Sequence, residues 1–256
     1  MIDIHAHVLP GLDDGPANMG EALDLARAAH ADGIDRIVAT PHMLDGVYDA
    51  ARADVFAGVA RLNDALGEHG IPLLVLAGAD IHVETEIPQL LRDSQLVTVA
   101  DRGKHLLLEL PSDVVPGKLD QLLFAVQLQG VHPVISHPER NRVIQEDSAT
   151  LIPLVEAGCL TQVTAASLVG DFGRQVQDCA RGLFEYRMAH FVATDMHDTR
   201  HRAPRLSAAA AELTELIGDE EAKEVLEENP EALLHGRHIQ APDPVVPKPR
   251  RKWFFW

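Results

Sequence analysis

The sequence predicts an α/β barrel, and two observations carry that reading. Seven short apolar runs alternate with longer amphipathic ones, which is the pattern of a parallel sheet wrapped by helices. Residues suited to chemistry stand at or just after the carboxyl ends of most runs: His5 and His7, His42, Asp80, Glu109, His137, Asp195 and His197. An open sheet spreads such residues along an edge, whereas a barrel gathers its strand ends around one mouth. One shared site selects the barrel.

Each element has its own signal. "MIDIH" is the first strand. Asn18, with Glu21 three residues on, resembles a capping box and opens a helix that Gly33 closes. "DRIVAT" is the second strand, and a helix over 51–69 ends at Gly70. "LLVLAGADI" and "HLLLEL" follow as strands. "GKLDQLLFAVQLQG" reads as a helix, with Leu119, Leu122, Leu123 and Val126 on one face. "HPVIS", "LTQVTA" and "HFVATD" are the remaining strands, with helices near 146–157, 173–188 and 204–217. "EEAKEVLEENPEALL" adds a helical tail. Residues 1–240 thus read as one barrel domain. Residues 241–256, "APDPVVPKPRRKWFFW", are proline-rich, then basic, then aromatic, and read as an extended tail outside it.

The totals narrow the function. A chain of 256 residues fits one large domain or two small ones. Lys and Arg number 22 against 39 Asp and Glu, a net charge of −17, which argues against broad contact with nucleic-acid phosphates. Cys159 and Cys179 form no disulfide framework and suit reduced thiols in a cytoplasmic protein. No signal peptide and no membrane-spanning apolar run is apparent.

The 14 histidines invite a search for ligand spacing. His5 and His7 share a strand face and can grip one cation together. A hydrogen-bonded pair at a strand end accounts for that motif equally well. "ATDMH" repeats the spacing with Asp195 and His197, and the first and last strands of a barrel are neighbours. Packing does not explain that coincidence. Asp80 and Glu109 each follow an apolar run, where an unpaired carboxylate is costly, so a cation or an arginine is expected nearby. His82 and Glu84 alternate with Asp80 and are possible accessories.

The motifs "DIHAHVLPGLDDGP", "VATPH", "GADI", "LLLELP", "ISHPER" and "ATDMHDTRHRAPRL" resemble those of the PHP (polymerase and histidinol phosphatase) superfamily. Within it they are most similar to the capsule-type bacterial protein-tyrosine phosphatases of the CpsB/CapC class, from residue 1 to about 235. The resemblance implies a distorted (β/α)7 barrel and a trinuclear metal site. Its ligands would be His5, His7, Asp14 (rather than Asp13), His42, Asp80, Glu109, His137, Asp195 and His197. Asp80 stands where the family usually has a bridging Glu. Arg140 and Arg202 match its phosphate-contacting arginines, and a planar guanidinium fork suits phosphate oxygens. Arg200 and Arg205 lie close to Arg202 in sequence.

Five imidazoles, four carboxylates and no thiolate suit Mn²⁺, Fe or Zn²⁺ better than Cu(I); the resemblance favours three Mn²⁺. It also implies hydrolysis of phosphotyrosine on the tail of a membrane-associated bacterial tyrosine kinase controlling capsule or exopolysaccharide synthesis. A histidinol-phosphate or other small-molecule phosphoesterase, and a non-catalytic metal-binding regulator, are the alternatives. Cysteine-phosphatase chemistry is excluded, because Ala165 and Glu185 stand where an arginine is required six residues after each thiol. Lys248, Arg250, Arg251 and Lys252, followed by four aromatics, suit docking of residues 248–256 to the inner membrane face.

Overall fold

The computed structural model describes residues 1–44, 46–48 and 50–246. The basic-aromatic stretch 248–256 therefore lies outside the described residues. The strands are β1 (Ile2–Ala6), β2 (Arg36–Ala39), β3 (His42–Met43), β4 (Leu74–Ala77), β5 (Asp80–His82), β6 (His105–Glu109), β7 (His132–Ser136), β8 (Leu160–Thr164) and β9 (Phe191–Ala193). Every strand pair is parallel, in the orders β1-β2-β4 and β3-β5-β6-β7-β8-β9.

Seven strand positions hold these nine strands, because two of the expected runs are broken. The second breaks at Thr40–Pro41, where proline cannot donate to a ladder. The third breaks at Gly78, whose position leaves no room for a side chain: a Cβ there would stand 2.5 Å from Val38 Cγ1. Each break turns a new short strand, β3 or β5, from one sheet into the other. The ring closes at the exit of β9. Ala6 bridges Met196 in parallel, Asp195 N–H donates to His5 O at 2.8 Å, and His7 N–H donates to Met196 O at 2.9 Å. The predicted distorted barrel is the observed fold.

Helices cover the outside: α1 (Met19–Ala31), α2 (Arg52–Glu68), α3 (Ile87–Arg92), α4 (Leu119–Gln127), α5 (Arg142–Glu146), α6 (Ile152–Glu156), α7 (Ala165–Val169), α8 (Arg174–Glu185), α9 (Leu206–Ile217), α10 (Asp219–Lys223) and α11 (Asn229–Leu234). Asn18 caps α1, its Oδ1 accepting Glu21 N–H at 3.1 Å as the capping signal predicts. The helix expected near 146–157 is instead broken: Asp147 caps a 3₁₀ turn over Ser148–Leu151 between α5 and α6. A π turn over Glu224–Glu228 interrupts the helical tail. Among the described residues, no helix is long and apolar enough to cross a membrane. Beyond α11 the chain has no regular structure as far as 246, and Val245 N–H donates to Tyr186 O at 2.8 Å.

Two apolar cores result. The larger joins the helices to the outer faces of the strands. The smaller contains Leu107, Val134, Leu160, Phe191 and Ala193. By strand alternation these share faces with Glu109, Ser136, Gln162 and Asp195, so this cluster fills the barrel beneath the polar mouth. Leu233, Leu234 and Ile239 belong to the same cluster.

Candidate metal centre

The mouth of the barrel gathers all nine expected ligands. His5 and His7 leave β1 beside a register shift between Asp3 and Ala6, the kind of irregularity that re-aims a side chain next to a site. Their Nε2 atoms are 3.2 Å apart. His42 and Asp80 are register partners at the short strands β3 and β5, which exist only because the strands break. His137 and Asp195 follow β7 and β9 in the left-handed region, with φ of 30° and 51°. Non-glycine residues hold that conformation only where their surroundings enforce it, as at functional sites.

Among the described residues, three groups of donor atoms come close enough to hold an ion: His7, Asp14, His42 and His197; His5, His7 and Asp80; and His42, Asp80 and Glu109. Asp80 belongs to two of them. Its Oδ2 stands 3.5 Å from His5 Nε2, 3.9 Å from His42 Nδ1 and 3.6 Å from His137 Nε2. Asp195 Oδ1 lies 3.5 Å from both His5 Nε2 and His7 Nε2. His137 Nε2 is 3.6 Å from Glu109 Oε1, and His197 Nε2 is 3.0 Å from Asp14 Oδ1. His42 presents Nδ1 to one group and Nε2 to another. A neutral imidazole has one lone pair, so it can serve only one of them at a time.

Further contacts hold the donors in place. His5 Nδ1 meets Gln162 Oε1 at 2.8 Å, His7 Nδ1 meets Asp13 Oδ2 at 2.7 Å, and His197 Nδ1 meets the carbonyl of Asp195 at 3.0 Å. Each ring thereby donates from Nδ1 and turns the Nε2 lone pair to the mouth, which is how ligating histidines are oriented. Ser136 donates to Asp80 Oδ1 at 2.9 Å and leaves Oδ2 for the centre. Ser136 and Gln162 are themselves register partners. Of the expected accessories, His82 comes within 3.9 Å of Glu109 Oε2, while Glu84 is exposed.

The electrostatics fit a cation. Among the described residues, buried Asp80 Oδ2, Asp195 Oδ1 and His42 Nδ1 have no hydrogen-bond partner. Burial, and then the positive field of the facing His197, favour neutral His7, and burial also favours neutral His137. Burial opposes the charge of Asp80, but His5, His137 and His42 outweigh it and hold the carboxyl below its usual range. Asp195 is held down against burial by His5, Arg202 and Arg140. Burial and the negative charge of Asp80 push Glu109 up to about 8. Neutral imidazoles are the form that binds a metal, and the carboxylate repulsion that raises Glu109 is what a bound divalent ion would relieve.

The two expected arginines stand at the edge of this cluster. Arg140 Nη1 donates to Asp195 Oδ2 at 2.7 Å; Arg202 Nη2 donates to the same oxygen and its Nη1 reaches His197 Nε2 at 2.7 Å. Arg205 pairs instead with Asp171, and Arg200 makes a backbone contact with Asp198. Burial pushes the Cys159 thiol up to about 12, which removes it as a nucleophile.

A parallel barrel that collects imidazoles and carboxylates at its strand ends defines a metal-binding class of α/β protein. Within that class the chain belongs to the capsular polysaccharide synthesis CpsB/CapC family, which matches residues 1–235. Tyrosine-protein phosphatase YwqE of Bacillus subtilis (strain 168) is 42% identical over 256 residues, covering 99% of both chains. Tyrosine-protein phosphatase CpsB of Streptococcus agalactiae is 26% identical, covering 93% of this chain and all of its own. A chain among the crystal structures of YwqE from Bacillus subtilis and CpsB from Streptococcus pneumoniae, described as unique metal-dependent tyrosine phosphatases, superposes with a TM-score of 0.94. It is 40% identical, and the match covers 97% of this chain and 100% of that one. A phosphotriesterase from Mycobacterium tuberculosis shares the fold alone, at TM-score 0.55 and 12% identity.

Proposed function

We propose that this chain is a metal-dependent protein-tyrosine phosphatase of the cytoplasm, acting on the phosphotyrosine tail of a membrane-associated bacterial tyrosine kinase in capsule or exopolysaccharide synthesis. The observation that carries this is three donor groups linked through the shared residues His7, His42 and Asp80, with Arg140 and Arg202 at their rim. The metal-dependent tyrosine-phosphatase activity of the YwqE and CpsB relatives supports it.

In this reading His5, His7, Asp14, His42, Asp80, Glu109, His137, Asp195 and His197 hold three divalent ions, Mn²⁺ in the first place. Divalent ions there supply a water of lowered pKa and neutralise phosphoryl charge. The residues do the rest. Gln162, Asp13 and the Asp195 carbonyl fix three rings, and Ser136 fixes Asp80, so the donors need little rearrangement. Arg140 and Arg202 offer in-plane N–H groups to the phosphoryl oxygens and orient the monoester. The leaving phenolate has a pKa near 10, so departure asks less of a general acid than a serine alkoxide does.

The deciding experiment is a panel of phosphotyrosine peptide, phosphoserine peptide and histidinol phosphate, each with Mn²⁺ and with chelator. Metal-dependent turnover of the phosphotyrosine peptide is expected. A preference for histidinol phosphate would overturn the substrate assignment. Activity surviving both chelation and Asp195→Ala would overturn the metal mechanism.

A further inference from the structure

The loop from α7 to α8 carries Gly170, Asp171, Phe172 and Gly173. Both glycines adopt positive φ, 93° and 89°, and Gly173 N–H donates to Gly170 O at 3.0 Å. Asp171 and Phe172 form the centre of this tight turn, and the glycines at its two ends hold φ values that other residues adopt only with strain. It presents two side chains to the rim of the mouth. The guanidinium carbon of Arg140 lies over the ring of half-buried Phe172, 5.3 Å from its centroid. Asp171 Oδ2 pairs with Arg205 Nε at 3.4 Å, on the segment that also carries Arg202. One four-residue turn therefore touches both arginine-bearing segments.

We propose that Phe172 is a positioning residue for Arg140, holding the guanidinium by its face and leaving its edge free for a phosphoryl group. The proposal rests on the reading of Arg140 as a phosphate-binding residue. The reasoning is one of donor accounting. Arginine carries five N–H donors, all in the guanidinium plane. A carboxylate support engages those donors, as Asp195 Oδ2 does with Arg140 Nη1 at 2.7 Å. That same oxygen also receives Arg202 and belongs to a carboxylate of the donor cluster, so it is a shared and contested support. An aromatic face engages none of the donors, because the attraction acts through the ring's quadrupole perpendicular to its plane.

The Arg140 side chain is 36% exposed, so without such a platform it would sample many rotamers in water. Phe172 restricts that motion at no cost in hydrogen-bonding capacity. Leucine would fill similar space without a quadrupole; tyrosine would keep the ring.

The test compares wild type, Phe172→Leu, Phe172→Tyr, Arg140→Gln and the Phe172→Leu/Arg140→Gln double variant. Two quantities are read: calorimetric binding of inorganic phosphate to the metal-loaded protein, and kcat and KM on a phosphotyrosine peptide. Phe172→Leu should weaken phosphate binding about three- to tenfold and raise KM more than it lowers kcat. Phe172→Tyr should stay within about twofold of wild type, and Phe172→Leu should add nothing once Arg140 is gone. Phosphate binding by Phe172→Leu equal to wild type would overturn the proposal. So would an equal loss in the Arg140→Gln background, since the ring would then act through packing. A wild type that binds phosphate but does not turn over the peptide would overturn the phosphatase reading, while the binding cycle still decides Phe172.

Discussion

At the scale of single residues, Asp80 matters most, because it belongs to two of the three donor groups. Strand β5 begins at Asp80, directly after the break at Gly78, and its Oδ2 faces three imidazoles within 3.9 Å. Ser136 anchors the other oxygen. Removing that anchor with Ser136→Ala should lower metal affinity about tenfold. Asp13→Asn, which replaces the carboxylate partner of His7 Nδ1, should cost about ten- to a hundredfold. Chelator competition measures both, and unchanged affinity in either variant would remove that residue from the support of the centre. The nine side chains that cluster at the mouth were legible because histidine and aspartate at strand ends are rare without a reason, and because their motifs resemble a known family. Ser136 and Gln162 were not legible. A serine or glutamine inside an apolar run has no spacing signature, and its role emerges only when β7 and β8 pair. Asp13 was set aside as a ligand in the sequence, but its place as the partner of His7 Nδ1 emerges only from the 2.7 Å contact.

At the scale of elements, run length identified seven strands and could not reveal that two of them break. The signal for one break was the glycine within "LLVLAGADI", since glycine inside a strand pattern marks a bend or a close approach. Gly78 has both neighbours crowded: a Cβ would meet Val38 Cγ1 at 2.5 Å and Ala39 O at 3.3 Å. Gly78→Ala should therefore destabilise the protein by about 1–3 kcal/mol, read from urea unfolding, and should also weaken metal binding by displacing Asp80. Loss of stability with metal affinity intact would separate the packing of the break from its role in aiming β5. Helices α3 and α7 escaped the sequence reading for a different reason. They have 6 and 5 residues, too few for an apolar period to repeat. Helix α4 was read correctly along Leu119, Leu123 and Val126, while Phe124 stays 60% exposed on its opposite side.

At the scale of the whole molecule, barrel closure was legible only indirectly, from the argument that scattered strand-end residues need one mouth. Charge balance adds a pH dependence. His190 is buried and its ring accepts Thr161 N–H at Nδ1; burial lowers its pKa to about 4. Below pH 6.5 the unfolded chain takes up a proton there that the fold refuses, so this histidine's contribution to stability falls with pH by about 1.4 kcal/mol per unit until about pH 4. Asp3 and Glu139, raised by burial to about 6 and about 7, act in the opposite sense: they favour the fold in acid and lose that contribution as pH rises through those values. The wild-type curve mixes these effects. The difference between wild type and His190→Asn isolates one of them: the stability advantage of wild type should shrink steadily from pH 6.5 to pH 4. A pH-independent difference would show that His190 titrates normally in the fold.

Closure by the outermost strands also sets when the protein can exist during its own synthesis. Asp3 accepts the backbone N–H of Thr194, 191 residues later, at 3.0 Å, and His5 and His7 meet Asp195 across the same seam. A chain emerging from the ribosome exposes His5 and His7 long before Asp195, His197 and Arg202, which follow only when most of the domain has been made. The pairing with the largest loop-closure cost therefore forms late. Metal uptake, which rewards only the finished ring, then acts as a check on completion, because a truncated product presents stray ligands and no centre.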